Sequence, residues 1–253
     1  MLRTRVIPCL LIQNGCLVKT IRFKNARYVG DPANTARIFN ELEVDELIVL
    51  DIRATVEGRR PDYNLLQQLA EECFMPLSYG GALSSLDEIQ AVFSLGFEKV
   101  ALNTAAVEKP EIIRKAADRF GSQSIIGSID VRRNLFGNYY VATASGTRRT
   151  GKDPAHWAFE LQTLGAGEIL LTSIDREGTW AGYDLELTRR VTSAITVPLI
   201  AHGGAGAIAD IDRVTREAGA AAAALGSMVV FQGKDRGVLV NFPDRHKLES
   251  AIH

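Results

Sequence analysis

Cysteine is scarce in this chain, and its spacing excludes two common kinds of stabilisation. The 253 residues include three cysteines, Cys9, Cys16 and Cys73. An odd count without a Cys-x-x-Cys pair argues against a disulfide framework and against a structural zinc site. The four histidines show no metal-ligand spacing either. We therefore expect no metal ion.

Long apolar runs and an excess of charge of either sign are also missing. No stretch approaches the roughly 18 consecutive apolar residues of a membrane span. The apolar run after Arg5 is too short for a secretion signal. The net charge is −1, so no overall field would recruit nucleic acid or an anionic membrane. We expect a cytoplasmic protein that binds neither nucleic acid nor membrane.

Eight short apolar or β-branched runs are present instead, and a helical pattern follows each of them. The runs cover 5–12, 46–51, 76–79, 99–103, 124–130, 168–173, 197–201 and 222–226. The helical patterns cover 32–44, 61–73, 85–96, 110–121, 153–164, 184–194, 207–218 and 244–252. Near-continuous apolar strands are typical of a parallel sheet that is buried on both faces.

Eight βα units without a break in composition predict one domain over residues 1–253 with the α/β architecture of a (β/α)8 TIM barrel. An open doubly wound sheet is the alternative, but no Gly-x-Gly-x-x-Gly follows the first strand.

The chain also repeats itself. Segments 45–52, 76–89 and 100–109 resemble 167–174, 198–211 and 223–232, at offsets of 122, 122 and 123 residues. A solenoid would have a far shorter period. The near-constant offset therefore predicts that the barrel is built of two homologous half-barrels.

Four residue pairs lie at the ends of predicted strands, at related positions in the two halves, and three of these pairs contain glycine. Gly80-Gly81 and Asn103-Thr104 lie in the first half, and Gly203-Gly204 and Gly226-Ser227 in the second. Such turns let backbone N–H groups approach an anion closely. Tight βα turns explain any one pair equally well, but the repetition favours binding. We expect two anion sites on opposite sides of the barrel mouth and a ligand with a phosphate at each end.

Three further residues at strand ends are candidates for chemistry or ligand contact. Asp130 stands between Ile129 and Val131, where desolvation would raise its pKa and suit it to general acid–base work. A capping role for this carboxylate is the alternative. Asp51 and Thr172 are expected to contact the ligand, although Asp51 could instead orient its neighbours.

The opposite rim carries four charged residues at the entries of strands, namely Arg5, Glu46, Lys99 and Glu168. Solvated rim charges are the usual explanation. Opposite charges that converge on the barrel axis would instead form a gate. The sequence leaves both interpretations open.

A basic segment follows the first strand. Residues 20–32, together with Lys19, read as a long βα loop with several cations. Such a loop suits a lid over an anionic ligand, with Lys19 among the ligand-binding residues. A solvated loop is the alternative.

At these motifs the chain resembles the cyclase subunit of imidazole glycerol phosphate synthase, from Arg5 to about residue 230. The strongest pieces are LVKTIRF, YVGDP, DELIVLDI, EKVALNTAAVEKP, FGSQSIIGSID, ASGTRRTG, GAGEILLTSIDREGT and IAHGGAG. The resemblance implies that a glutaminase (glutamine amidotransferase) subunit docks at the N-terminal rim as a heterodimer. Ammonia then crosses the barrel interior to a bisphosphorylated ribulosyl substrate. Ring closure gives imidazole glycerol phosphate and an aminoimidazole ribotide without any cofactor.

The resemblance also implies roles for individual residues. Asp130 matches one of two catalytic aspartates, and the four rim charges match the gate of the ammonia channel. The phosphate-binding loops contain Gly81, Asn103, Thr104, Gly178, Gly204, Gly226 and Ser227.

Several positions on the active face depart from the family pattern. Leu11 stands where the second catalytic aspartate is expected, and leucine cannot transfer a proton, a contribution typically worth ~10²–10⁴-fold. Ala82 replaces a glycine, His202 replaces a serine, and Glu177 replaces an aspartate.

Because the gate is retained while the catalytic face has changed, the chain resembles the branch of this family found with surface-polysaccharide genes. In that branch the pair of subunits is thought to supply ammonia to a separate sugar amidotransferase that makes acetamidino sugars. Two other functions stay open. One is an ordinary histidine-pathway cyclase with Asp130 acting alone, and the other is a non-catalytic scaffold that activates the glutaminase.

Overall fold

A closed ring of parallel strands surrounded by helices forms the body of the molecule in the computed structural model, which describes residues 4–232, 237–244 and 247–248. The strands are β1 (Arg5–Gln13), β2 (Cys16–Ile21), β3 (Lys24–Gly30), β4 (Leu47–Asp51), β5 (Leu77–Gly80), β6 (Lys99–Leu102), β7 (Ile125–Arg133), β8 (Tyr139–Thr143), β9 (Arg148–Arg149), β10 (Glu168–Ser173), β11 (Leu199–His202), β12 (Ala222–Leu225), β13 (Phe231–Gln232) and β14 (Gly237–Val238). The helices are α1 (Pro32–Glu41), α2 (Tyr63–Glu72), α3 (Leu86–Ser94), α4 (Thr104–Glu108), α5 (Glu111–Phe120), α6 (Pro154–Thr163), α7 (Leu185–Thr192) and α8 (Ile208–Arg216), with 3-10 turns at Ser122–Ser124 and Ser227–Val229.

The barrel closes because its last strand pairs with its first. Parallel pairing runs from β1 through β4, β5, β6, β7, β10 and β11 to β12, and β12 pairs back with β1, where Arg5 lies opposite Ala222. The predicted (β/α)8 TIM barrel is therefore confirmed. No helix among the described residues is long and apolar enough to cross a bilayer.

Helix boundaries follow local capping chemistry. The Asp31 side chain accepts a hydrogen bond from Asn34 N, and Pro32 begins α1. Ser85 and Glu88 form a reciprocal capping box at the start of α3. Gly121, with φ 87°, ends α5. These ends are those that the sequence indicates.

The two halves of the barrel have matching strand register. Leu50 pairs with Gly80 in the first half, and Thr172 pairs with His202 in the second. Leu11 pairs with Leu50 in the same way that Asp130 pairs with Thr172. The repeat seen in the sequence is thus a repeat of backbone pairing, and Leu11 occupies the position in its half that Asp130 occupies in the other.

The barrel interior is lined by every second residue of each strand. On β1, Ile7, Cys9 and Leu11 belong to an apolar cluster made of strand residues, whereas Val6 and Leu10 pack in the cluster that includes the helices. Side chains alternate between faces along a strand. Arg5 therefore begins the interior column of β1, and Leu11 ends it.

Two features differ from the expectations. Residues 20–32 do not form a loop, because β2 pairs antiparallel with β1 and β3 pairs antiparallel with β2. Strands β8 and β9 extend β7 in a corresponding antiparallel ribbon that the sequence pattern did not predict. The predicted helix 244–252 lies largely outside the described residues.

Candidate functional site

A cavity of about 640 Å³ opens at the carboxyl ends of the barrel strands. This is the end where the sequence places the candidate residues, and it is the usual position of a TIM-barrel active site. The predicted residues that line it are Leu11, Asp51, Gly81, Asn103, Thr104, Asp130 and Thr172. Residues from six separate segments of the chain therefore share one pocket.

Asp130 lies on β7 at the base of this cavity. Asn103 Nδ2 donates a hydrogen bond to Asp130 Oδ2 at 3.1 Å. Burial raises the pKa of the Asp130 carboxyl to about 7, against the hydrogen bonds from Thr172 and Asn103, which lower it. Both protonation states are therefore accessible near neutral pH, as a general acid–base group requires.

Leu11 faces the same cavity from the opposite half of the barrel. Its side chain is 3% exposed and packs with Val18 and other apolar residues of the barrel interior. No second carboxylate stands at this position, so the symmetric site for proton transfer is apolar.

His202 extends a hydrogen-bonded chain from Asp130. The imidazole Nδ1 lies 3.1 Å from Thr172 Oγ1, and Thr172 in turn hydrogen-bonds Asp130. Burial, together with the charge of Lys19, lowers the pKa of His202 to about 3, so this ring is neutral at physiological pH. The sequence marked His202 only as a departure from the family, and its position at the end of β11 was the one signal that it faces the site.

Lys19 and Glu177 anchor the β2–β3 hairpin instead of facing the cavity. Lys19 Nζ donates to the Cys9 carbonyl, and burial lowers the pKa of the Lys19 amine. The Glu177 carboxylate accepts from Thr20 Oγ1 at 2.9 Å and from Phe23 N at 3.0 Å. The expected flexible lid is thus a hairpin docked on the loop that follows β10, and the contact of Lys19 with a ligand stays a prediction.

Asp51 shapes the first glycine loop. Its Oδ1 accepts from Arg53 N at 2.9 Å and from Ala54 N at 2.8 Å. Gly81 has φ 135°, and a Cβ on it would come within 2.8 Å of the Asp51 backbone oxygen. Glycine is required here by the backbone approach. These contacts favour the orienting role for Asp51 over direct ligand contact.

The corresponding loops of the second half do not reach the cavity. Gly178 lies against β2, where a Cβ would come within 2.2 Å of the Thr20 carbonyl oxygen. Gly204 lies equally close to the Gly182 carbonyl oxygen. Neither of these glycines, nor Gly226 nor Ser227, lines the cavity. The contact of these four residues with an anion stays a prediction.

The four rim charges meet at the other end of the barrel. Arg5 donates to Glu46 at 2.7 Å and to Glu168 at 2.8 Å. Lys99 Nζ donates to Glu46 at 2.7 Å and to Glu168 at 3.1 Å. Each carboxylate thus bridges both cations in a closed ring, which we call the charged ring. The charged ring lies at the start of the interior columns, so its four charges converge on the barrel axis. This is the arrangement that the second interpretation of the sequence, a gate, requires.

Metal chemistry has no evident site in the described ranges, because no group of three or more His, Cys, Asp or Glu side chains is placed to hold an ion.

Comparison with known proteins gives consistent matches along the whole chain. "Putative imidazole glycerol phosphate synthase subunit hisF2" of Pseudomonas aeruginosa is 49% identical over 249 residues, which are 98% of this chain and 99% of that protein. "Putative imidazole glycerol phosphate synthase subunit HisF" of Leptospira interrogans is 44% identical over 254 residues, 100% of both chains.

A relative without that qualifier in its name matches as well. "Imidazole glycerol phosphate synthase subunit HisF" of Saccharolobus solfataricus is 45% identical over 202 residues, 80% of each chain. The family model described as "Histidine biosynthesis protein" matches residues 5–235. The chain therefore belongs to the histidine biosynthesis protein family.

Proposed function

We propose that this chain is the cyclase-like synthase subunit of a glutamine-dependent enzyme, and that it passes ammonia from a glutaminase subunit through the barrel. The observation that carries the proposal is the charged ring at one end of an interior whose other end holds Asp130. Between them lie apolar side chains such as Ile7, Ile48 and Leu170. An apolar passage disfavours charged ammonium and admits neutral ammonia.

The glutaminase docks at the rim that carries the charged ring. Glu46 and Glu168 have side chains that are 4% and 12% exposed, so their charges depend on Arg5 and Lys99 for compensation. A docked partner that draws away one cation would open the ring. The heterodimer with a glutamine amidotransferase explains why four charges are held together at an otherwise apolar barrel end.

The acceptor of the ammonia is a sugar carried by a separate amidotransferase, which forms an acetamidino group for surface polysaccharide. Leu11 supports this specialisation, because it stands where one of the two carboxylates expected for the cyclase reaction would be. The chain in this role delivers ammonia and needs no proton transfer from β1.

An ordinary cyclase of histidine biosynthesis is the second candidate, and Asp130 favours it. A carboxyl whose pKa is raised to about 7 by burial can still donate and accept protons without a partner. A scaffold that activates the glutaminase without binding any phosphorylated ligand is less well supported, since an open cavity lined by Asp130 and cations is present.

The test is glutamine turnover by this chain purified together with its candidate glutaminase. We expect glutamine hydrolysis to accelerate by about tenfold or more when the sugar amidotransferase and its acetamido-sugar substrate are added. The bisphosphorylated ribulosyl compound should give little imidazole glycerol phosphate. Rapid formation of that product, with no response to the sugar system, would instead establish the ordinary cyclase.

A further inference from the structure

The hairpin formed by β7 and β8 ends in two large apolar side chains that stand in water. Leu135 is 102% exposed and Phe136 is 89% exposed, and we call this pair the apolar tip. Strand β7 runs from the cavity residue Asp130 to Arg133, just before the tip. The tip therefore lies on the carboxyl side of the barrel, about 17 Å of extended chain beyond Asp130.

The turn that joins the two strands does not need apolar side chains. Asn134 Oδ1 accepts from Phe136 N at 2.9 Å and from Asn138 N at 3.0 Å. Gly137, with φ 81°, donates its N–H to the Asn134 carbonyl oxygen at 3.0 Å. Asparagine and glycine supply the chemistry that such a turn requires. The side chains of Leu135 and Phe136 are thus available for an intermolecular contact.

The base of the hairpin is braced, so the apolar tip is presented in a fixed position. Arg133 Nη2 donates to Glu186 Oε2 at 2.8 Å and to the Tyr139 hydroxyl. The same guanidinium lies 4.5 Å from the centre of the Tyr139 ring, and that hydroxyl donates to Asp184 at 2.9 Å. A braced element loses little conformational entropy when it binds. The geometry is therefore that of a preformed docking contact.

Exposed cations adjoin the hairpin at the cavity mouth. Arg132 Nη2 donates to the Arg22 carbonyl oxygen at 3.3 Å, so the β2–β3 and β7–β8 hairpins lie side by side. Arg22, Lys24 and Arg149 are exposed, and within the described ranges no carboxylate is placed to form an ion pair with any of these three. The net charge of the chain is −1. This basic surface is therefore local, and it favours a partner whose contact face is acidic.

The path of the ammonia decides which partner fits this surface. Under the proposed function ammonia leaves the barrel at the cavity mouth, where water would convert it to ammonium, which is not a nucleophile. An enzyme that consumes the ammonia has to cover the mouth to prevent this loss, and the apolar tip stands where such a cover would rest. The glutaminase belongs to the opposite end, at the charged ring. Two apolar side chains flanked by polar turn residues anchor a membrane only weakly, whereas they suit the centre of a protein interface.

We propose that the sugar amidotransferase docks on the carboxyl face of the barrel and takes Leu135 and Phe136 into an apolar pocket with an acidic rim. This inference rests on the proposed function, because it locates the partner that receives the ammonia. It places the glutaminase and the ammonia-consuming enzyme at opposite ends of one barrel, so that ammonia enters at the charged ring and leaves directly into the second enzyme.

The test is the affinity of the full-length chain for the purified sugar amidotransferase, measured by biolayer interferometry without glutamine. We expect the double variant Leu135→Ser/Phe136→Ser to bind at least about tenfold more weakly, because a few central apolar side chains supply most of the energy of an interface. Phe74→Ser is the matched control, since Phe74 is 91% exposed but precedes β5 at the opposite end of the barrel, and it should leave the affinity unchanged. Unchanged affinity in the folded double variant, equal weakening by Phe74→Ser, or no binding by the wild-type chain would each overturn the inference.

Two further measurements distinguish the amidotransferase from other occupants of the tip. The double variant should alter neither the co-sedimentation of the chain with vesicles of phosphatidylcholine and phosphatidylglycerol nor the sedimentation coefficient of the chain alone. Vesicle binding or self-association that depends on the tip, with unchanged affinity for the amidotransferase, would contradict the proposal. A tip-dependent complex that transfers no ammonia when glutamine and the glutaminase are added would support the docking and count against the proposed function alone.

Discussion

At the scale of single residues, Asp130 combines deep burial with the acid–base role proposed for it, and burial disfavours its charged form. Its pKa lies near 7 in the folded chain against 3.8 for an ordinary aspartate. Since the folded-state pKa is raised, the stability associated with this carboxyl is full below pH 3.8 and is lost as the pH rises through 7. At high pH the buried, charged carboxylate therefore lowers the stability of the folded chain.

Asp130→Asn should remove this destabilisation. We expect the free energy of unfolding to increase on the order of 3 kcal/mol at pH 8 and clearly less at pH 5, while any cyclase turnover falls. Urea unfolding at the two pH values measures the difference. Asp118→Asn, at an exposed position on α5, is the control. Equal stabilisation at both pH values would show that the Asp130 carboxyl is not the buried titrating group.

Leu11 is the other residue that bears on the proposed chemistry. Leu11→Asp restores a carboxylate opposite Asp130, and we expect it to raise ammonia-dependent formation of imidazole glycerol phosphate by ~10²-fold or more. Burying the new carboxylate should cost about 2–4 kcal/mol of stability. Leu50→Asp, which places a carboxylate at the neighbouring cavity position, is the control. A folded Leu11→Asp variant with unchanged turnover would show that the missing aspartate is not what limits cyclisation.

At the scale of elements, the β2–β3 hairpin is the segment whose behaviour matters most for access. Two hydrogen bonds to the Glu177 side chain and one to its carbonyl from Arg22 N hold its turn on the loop after β10. Hydrogen bonds to a buried carboxylate are stronger than those between neutral groups. One residue, Glu177, therefore holds the hairpin at its turn through its side chain and its carbonyl oxygen.

Glu177→Ala should release this clamp. We expect amide hydrogen exchange to accelerate about tenfold or more in peptides covering residues 16–30, with a loss of about 1–3 kcal/mol in stability. Exchange measured by mass spectrometry follows the hairpin directly. Glu186→Ala removes a solvent-exposed carboxylate of α7 and should leave the same peptides unchanged. Unaltered exchange in Glu177→Ala would mean that strand pairing with β1 alone fixes the hairpin.

At the scale of the whole molecule, the two ends of the barrel are joined by interior columns that begin with a charge and end with a site residue. Lys99 precedes Ala101 and Asn103 on one column, and Glu168 precedes Leu170 and Thr172 on another. Side chains alternate between the interior and the exterior along each strand of a closed barrel, so every second residue faces the interior from one end to the other. Between the charged ring and the site residues, these two columns carry the apolar side chains of Ala101 and Leu170.

Lys99→Met should uncouple the two ends. Among the described residues, Glu46 and Glu168 would keep Arg5 as their cationic partner, and we expect a loss of about 2–4 kcal/mol in stability. Glutamine hydrolysis in the complex should persist while the yield of aminated product per glutamine falls. Lys115→Met, an exposed position on α5, is the control. If the yield stays at the wild-type value, the charged ring is a structural cluster at the rim.

Local chemistry made much of this protein predictable. The periodicity of apolar residues located the eight barrel strands, and capping residues such as Asp31 and Ser85 located helix starts. Asp130, Asn103 and Thr172 could be placed at the mouth because parallel strands of a barrel end on one face. The hairpin at 20–32 was missed because its polar and basic composition resembles that of a loop, and its strands are stabilised by pairing with β1.

The sequence alone determined the order of the eight barrel strands, the internal repeat and the end of the barrel on which each candidate residue lies. Tertiary structure decided which of these residues meet. The contact between Arg5 and Glu168 joins positions 163 residues apart, and the Thr172–His202 contact depends on the register of two strands. Propensity and capping act within a few residues, whereas strand register and side-chain packing act across the whole chain.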